Sequence, residues 1–231
     1  MNLAGKTLIM GDLHGDFGRL NSFVNKKRPA IILQTGDFGY WPRLSHKALY
    51  GRRNPKYKDP VMPKMPEETN LYWCDGNHED HHALIDRVTD ELYPRVHYMP
   101  RGSTFELPDG RIVLFMGGAL SIDRNCRLEG GGNYGWFPEE QVRESNVMDL
   151  DIDRVDIVIS HTCPQEFDVP MRYEYNDSSR LALSYILHNH KPKQWFCGHW
   201  HHFCTGEYIG CKWTAMGRFD SGGPGGWIEL G

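Results

Sequence analysis

Eight polar residues share one kind of position in this 231-residue chain. Each stands just past a short apolar run that ends in a turn. Asp12 and His14 follow Thr7-Leu8-Ile9-Met10, and Asp37 follows Ala30-Ile31-Ile32-Leu33. Asn77 and His78 follow Leu71-Tyr72-Trp73-Cys74, and His161 follows Ile157-Val158-Ile159-Ser160. His199 and His201 follow Trp195-Phe196-Cys197. Two carboxylates, one amide oxygen and five imidazoles offer more donors than one catalytic metal uses. Two divalent ions ~3.5–4 Å apart, sharing a carboxylate, would use them well. Mixed nitrogen and oxygen donors suit manganese first, with iron, zinc or nickel as alternatives, and argue against calcium or magnesium alone. Glycines at 11, 36, 76 and 198 let the chain turn sharply enough for neighbouring side chains to share one pocket.

The elements that must position these residues follow from the apolar runs. Continuous runs of four or five apolar, often β-branched residues read as strands buried on both faces, and Ile112-Val113-Leu114-Phe115-Met116 adds another. Helices are expected between them over 17–27, 81–88, 138–148 and 178–189. The first places Phe17, Leu20, Phe23 and Val24 on one face; the last has Asp177 or Ser178 as N-cap. Strands alternating with helices give an α/β fold with its sheet covered on both faces. No repeat or linker interrupts the chain, so one domain over 1–231 is expected. Two segments break the alternation: a basic, proline-rich insertion at about 40–69, and a glycine-rich loop at about 117–137. Each follows the C-terminal end of a proposed strand, the edge where open α/β sheets bind ligands.

Composition sets the outer bounds. Charged residues make up 24% and hydrophobic ones 39%, which excludes a disordered or collagen-like chain. No apolar run approaches the ~20 residues of a membrane span. Twenty-six basic against 30 acidic residues give a net charge of −4, so there is no global nucleic-acid footprint, although a local basic patch stays open. The six cysteines form no C-x-x-C pair, and the N-terminus does not resemble a signal peptide; a reducing cytoplasm is the expected compartment. Of the 12 histidines, seven (His46, His81, His82, His97, His188, His190 and His202) match no position in the pattern and read as ordinary surface or core residues, with His81 and His202 bordering the site.

The order Gly11-Asp12-Leu13-His14-Gly15, Gly36-Asp37, Gly76-Asn77-His78-Glu79, His161 and Gly198-His199-Trp200-His201 resembles the calcineurin-like metallophosphoesterases. The resemblance implies a four-layer α/β/β/α sandwich of mixed sheets around a dinuclear centre. One metal would take Asp12, His14, Asp37 and His201. The other would take Asp37, Asn77, His161 and His199, with Asp37 bridging. A hydroxide shared by both ions would attack phosphorus in line with the leaving group. His78 would not bind metal but would stabilise the phosphoryl oxygen or protonate the leaving oxygen.

The sequence also departs from that pattern. The motif forms are those favoured by serine/threonine protein phosphatases, yet the Asp-Arg-Gly that follows the second motif there is missing. Asp37 is followed by Phe38-Gly39-Tyr40-Trp41, so Tyr40 stands where an Asp would orient His78, and Asp75 replaces the arginine before the third motif. At least one of Arg43, Arg124 and Arg127 is expected to bind the phosphate instead. The aromatic residues at 40, 41, 134 and 136 read as loop packing in preference to a stacking platform. The expected activity is hydrolysis of a phosphomonoester, with a phosphodiesterase or nuclease as alternative and a non-catalytic scaffold as the alternative of another class. The expected partner is a phosphorylated small molecule, nucleotide or phosphoprotein, with no membrane.

Overall fold

The computed structural model describes residues 3–42, 61–121, 123–129, 135–170, 176–220, 222 and 225–231. Two six-stranded mixed sheets dominate it. In the first, β1 (Thr7–Met10), β2 (Ile31–Gln34), β3 (Asn70–Trp73) and β5 (Val96–Tyr98) run parallel. Antiparallel strands β12 (Trp227–Glu229) and β4 (Glu91–Tyr93) flank them. In the second sheet, β7 (Ile112–Met116), β8 (Ile157–Ser160), β9 (Gln194–Cys197) and β11 (Cys211–Ala215) are parallel. Here β6 (Thr104–Glu106) and β10 (Cys204–Tyr208) form the antiparallel edges.

Period-two alternation assigns the layers, because successive strand side chains point to opposite faces. Ile9, Leu33, Val113, Phe115, Ile157, Ile159 and Phe196 meet between the sheets. Met10, Ile32, Leu71 and Trp73 point the other way and pack with Phe17, Leu20 and Val24 of α1 (Phe17–Lys27). On the far side Leu114, Met116, Val158, Trp195 and Cys197 pack with Ala182, Leu183, Ile186 and Leu187 of α5 (Ser178–His190). The result is the α/β/β/α order of layers. Both long helices are capped at each end. Asp16 accepts from Arg19 N and Asp177 from Ser179 N and Arg180 N, while Arg28 and Lys191 close the C-termini in the left-handed region.

Register levels the strand ends. Met10 pairs with Gln34 and Gln34 with Trp73; in the other sheet Met116, Ser160, Cys197 and Ala215 form the matching row. Every candidate ligand lies one to four residues past such an end, and all therefore emerge at one edge of the sandwich.

Three short helices complete the described chain: α2 (His81–Ile85), α3 (Arg124–Glu129) and α4 (Ser145–Met148). The helix expected over 138–148 does not form as one unit. A 3-10 turn covers Pro138–Glu140, Gln141 is extended, and helix resumes only at α4. Tertiary partners take the backbone groups a continuous helix would need. Arg101 donates to the carbonyls of Glu139, Glu140 and Gln141, and Ser179 Oγ accepts from the Val142 amide. Residues 43–60 of the basic insertion lie outside the described residues. Among those described, no helix is long and apolar enough to cross a membrane.

Candidate metal centre

The two sheets contribute different chemistry to the shared edge. The loops after β1, β2 and β3 bring Asp12, His14, Asp37 and Asn77, whereas those after β8 and β9 bring His161, His199 and His201. Two donor groups result. In one, His201 Nε2 lies 3.0 Å from Asp12 Oδ2 and 3.1 Å from His14 Nε2. His14 Nε2 is 3.8 Å from Asp37 Oδ2, and one donor atom from each of these four residues fits within 4.8 Å. In the other, Asn77 Oδ1 is 3.0 Å from both His161 Nε2 and His199 Nδ1, and His161 Nε2 is 3.3 Å from Asp37 Oδ1. Asp37 thus turns one oxygen to each group. Metal–donor bonds of ~2.1 Å put neighbouring ligand atoms ~3–4 Å apart, so these spacings and donor types fit divalent ions.

Backbone strain and close packing hold the arrangement. Asp37, His14, His199 and His201 have φ of 51°, 47°, 69° and 54°, values that L-residues adopt at a cost. The glycines answer a different need. A Cβ at Gly76 would land on Asp37 Oδ1, and one at Gly198 on Asp12 Oδ1, so the motif glycines make room for ligand carboxylates. Outer partners then aim the ligands. His161 Nδ1 faces Thr35 O at 2.8 Å, which leaves Nε2 toward the centre. Asn77 Nδ2 donates to Ser121 Oγ at 3.0 Å, which turns Oδ1 inward. Glu79, fully buried, accepts from Gly39 N at 3.0 Å and Gly76 N at 2.6 Å and so ties the loop of Asp37 to that of Asn77.

The electrostatics are those of a site built for cations. Burial opposes ionisation of Asp37, but His161 and His78 outweigh it and hold its carboxyl well below the usual range. Asp12 is likewise lowered against its own burial by His201 and His161. Burial also opposes charge on His161, yet Asp37 and Asp12 raise it to about 10, whereas burial and His161 push His199 down to about 3. His161, raised in this way, sits among buried carboxylates where a metal ion would displace its proton.

His78 stands above this floor. Its amide donates to Asp37 Oδ1 at 2.9 Å, its carbonyl accepts from Trp41 Nε1 at 2.8 Å, and its ring is 5.7 Å from that of His14. Arg127 is placed otherwise than expected. Its Nη1 donates to Asn77 O and Gly135 O, its Nη2 to Glu140 Oε2 and Ser121 Oγ, and its Nε to Asp123 Oδ1. All five guanidinium donors are spent on protein, so Arg127 braces the rim and does not reach for a phosphate. Arg124 lies exposed with its guanidinium 4.2 Å from the centre of the Trp136 ring. Arg43 is outside the described residues.

Tyr40 and Trp41 pack inward, as expected for loop packing: Tyr40 lies 6.2 Å from Trp73, and Trp41 is 7% exposed. Of the seven unassigned histidines, His46 is outside the described residues. His81 is buried, kept neutral by burial with a pKa of about 4, and reaches Gly76 O at 3.1 Å. His97 stacks on Tyr72, and His188 pairs with Glu166 at 2.8 Å. The reading of the sequence missed Thr35, Glu79, Ser121, Asp123 and Glu140. Glu79 was visible within its motif, but nothing local marked the other four.

A family model described as calcineurin-like phosphoesterase matches residues 5–203. One crystal structure aligns over 97% of this chain and 95% of its own length at a TM-score of 0.56, with 14% identity. GAP50, described as the anchor in the inner membrane complex of Plasmodium, aligns over 92% of this chain and 71% of its own at a TM-score of 0.46, also with 14% identity. No curated protein matches the sequence.

Proposed function

The chain belongs to the calcineurin-like phosphoesterase family and is a hydrolase of phosphoric ester bonds, and from that premise we propose that its substrate is a phosphomonoester. The observation that carries the reading is the division of Asp37. Its Oδ2 faces His14 and its Oδ1 faces His161, so two donor groups meet at one buried carboxylate. Asp12, His14, Asp37 and His201 would hold one ion, and Asp37, Asn77, His161 and His199 the second. Manganese is the ion we propose for both. Two such cations would supply charge neutralisation for the phosphate and a hydroxide nucleophile near neutral pH.

The chain's own residues do the rest. His78, beside the donor groups but turned out of them, would hydrogen-bond a phosphoryl oxygen or give a proton to the departing oxygen. The reaction joins the oxygen of water to phosphorus as the bond from phosphorus to the leaving oxygen breaks. The leaving oxygen takes up a proton, and the products are an alcohol and inorganic phosphate. Arg124 at the rim, and Arg43, are the arginines we propose for the phosphate. A phosphorylated small molecule, a nucleotide or a phosphoprotein would fit this chemistry. A reducing cytoplasm fits the free thiols of Cys74, Cys163, Cys197 and Cys211, all buried.

Rates on an aryl phosphomonoester and the matching aryl diester, with manganese added, test the proposal. The monoester should be the better substrate. A clear preference for the diester would replace this reading with a phosphodiesterase or nuclease, which the basic insertion favours. No hydrolysis of either, with less than one equivalent of metal bound, would favour a scaffold.

A further inference from the structure

We propose that Asp123, carried just before α3, is the carboxylate that positions His78. The inference rests on the hydrolase reading only for its kinetic test. Asp123 Oδ2 faces His78 Nε2 at 3.9 Å, just beyond hydrogen-bond length, and the two side chains are 39% and 27% exposed. The pair therefore stands at the mouth of the centre, neither buried in the floor nor fully in water. The position where the sequence lacks an orienting Asp holds Tyr40, whose ring is committed to Trp73 and Tyr93. The carboxylate arrives instead from a segment some 80 residues further along the chain.

One guanidinium makes this geometry specific. Arg127 Nε donates to Asp123 Oδ1 at 3.1 Å, which leaves Oδ2 as the oxygen turned toward His78. The same side chain donates from Nη1 to the carbonyl of Asn77, the residue immediately before His78, at 3.0 Å. Arg127 thus fixes the carboxylate and the backbone that carries the imidazole relative to one another. It is itself anchored by Glu140 Oε2 at 2.6 Å and by Ser121 Oγ. A carboxylate at one ring nitrogen sets the orientation and tautomer of an imidazole, and such partners are worth about 10–100-fold when removed. Asp123 acts through His78 and is a positioning residue; it touches neither donor group.

The test compares Asp123→Asn, Asp123→Glu, His78→Ala and the double variant His78→Ala/Asp123→Asn. Asp123→Asn should lower kcat about 10–100-fold while KM and bound metal stay within about twofold. Asp123→Glu should recover most of the loss, since it restores the charge. The double variant should be no slower than His78→Ala alone, because the carboxylate has nothing left to position. Nitrogen-15 NMR of the ring in zinc-loaded protein supplies a readout independent of turnover. The His78 Nε2 signal should move in Asp123→Asn, with those of His161 and His199 unchanged. A kcat within twofold of the unaltered chain, additive losses in the double variant, or an unmoved His78 signal would each overturn the proposal. If the unaltered chain hydrolyses no phosphoester, the monoesterase reading fails, and the NMR comparison still decides the role of Asp123.

Discussion

The floor and the rim of this site are built on opposite principles. In the floor, Asp12 and His161 are wholly buried, Asp37 is 1% exposed, and glycines admit the carboxylates with no room for a Cβ, while His14 and His201, 20% and 38% exposed, open the centre toward solvent. At the rim, His78 is 27% exposed, Asp123 39%, and Arg124 lies on the surface against Trp136. Floor residues sit one to four positions beyond the level ends of parallel strands, so the fold itself sets their spacing. Apart from His78, the rim residues come from a glycine-rich segment held by side chains, chiefly Arg127 with Ser121 and Glu140. The contrast separates two tasks. Gathering cations needs rigid, dehydrated carboxylates at the base of the centre, whereas receiving a substrate needs groups that solvent and ligand can reach.

Variants at increasing distance from the floor would break or sharpen that division. Asp37→Asn should have the largest effect, with both ions lost and kcat/KM reduced by about 10³-fold or more, as metal analysis and steady-state rates would record. His78→Ala should lower kcat by about 10²–10³-fold with both ions retained. Loss of metal in that variant would move His78 into the floor and erase the distinction. Ser121→Ala frees the Asn77 amide to turn, so affinity for one ion should fall about tenfold in a metal titration while the other is unaffected. Arg124→Ala should raise KM about two- to fivefold with metal content unchanged, the scale of an exposed charge. If Ser121→Ala instead raised only KM, the bracing network would belong to substrate binding.

The floor was readable from sequence for a physical reason. Runs such as Ile157-Val158-Ile159-Ser160 are buried on both faces, and parallel strands of that kind have their ends at a common edge. A polar residue just past each run then falls in one place. The strands at and next to the sheet edges carried no comparable signal. Cys211–Ala215 shows half-buried alternation, with Cys211, Trp213 and Ala215 buried and Lys212 exposed. Its hairpin with β10 turns through Ile209 and Gly210 at φ of 43° and 82°, and a β-branched residue there does not announce a tight turn as Asn-Gly does. The rim was illegible because its geometry is tertiary. No local pattern says that Arg127 will spend itself on Asn77, Gly135 and Glu140, or that Asp123 will face a histidine 45 positions earlier.

Titration of the chain with manganese, reading bound metal and aryl phosphate hydrolysis on one sample, tests the central claim most directly. Two equivalents should bind, with activity rising as the second is filled and both lost together in Asp37→Asn. Saturation at one equivalent with full activity, or an Asp37→Asn variant that keeps one ion at unchanged affinity, would contradict a centre in which a single carboxylate serves two metals.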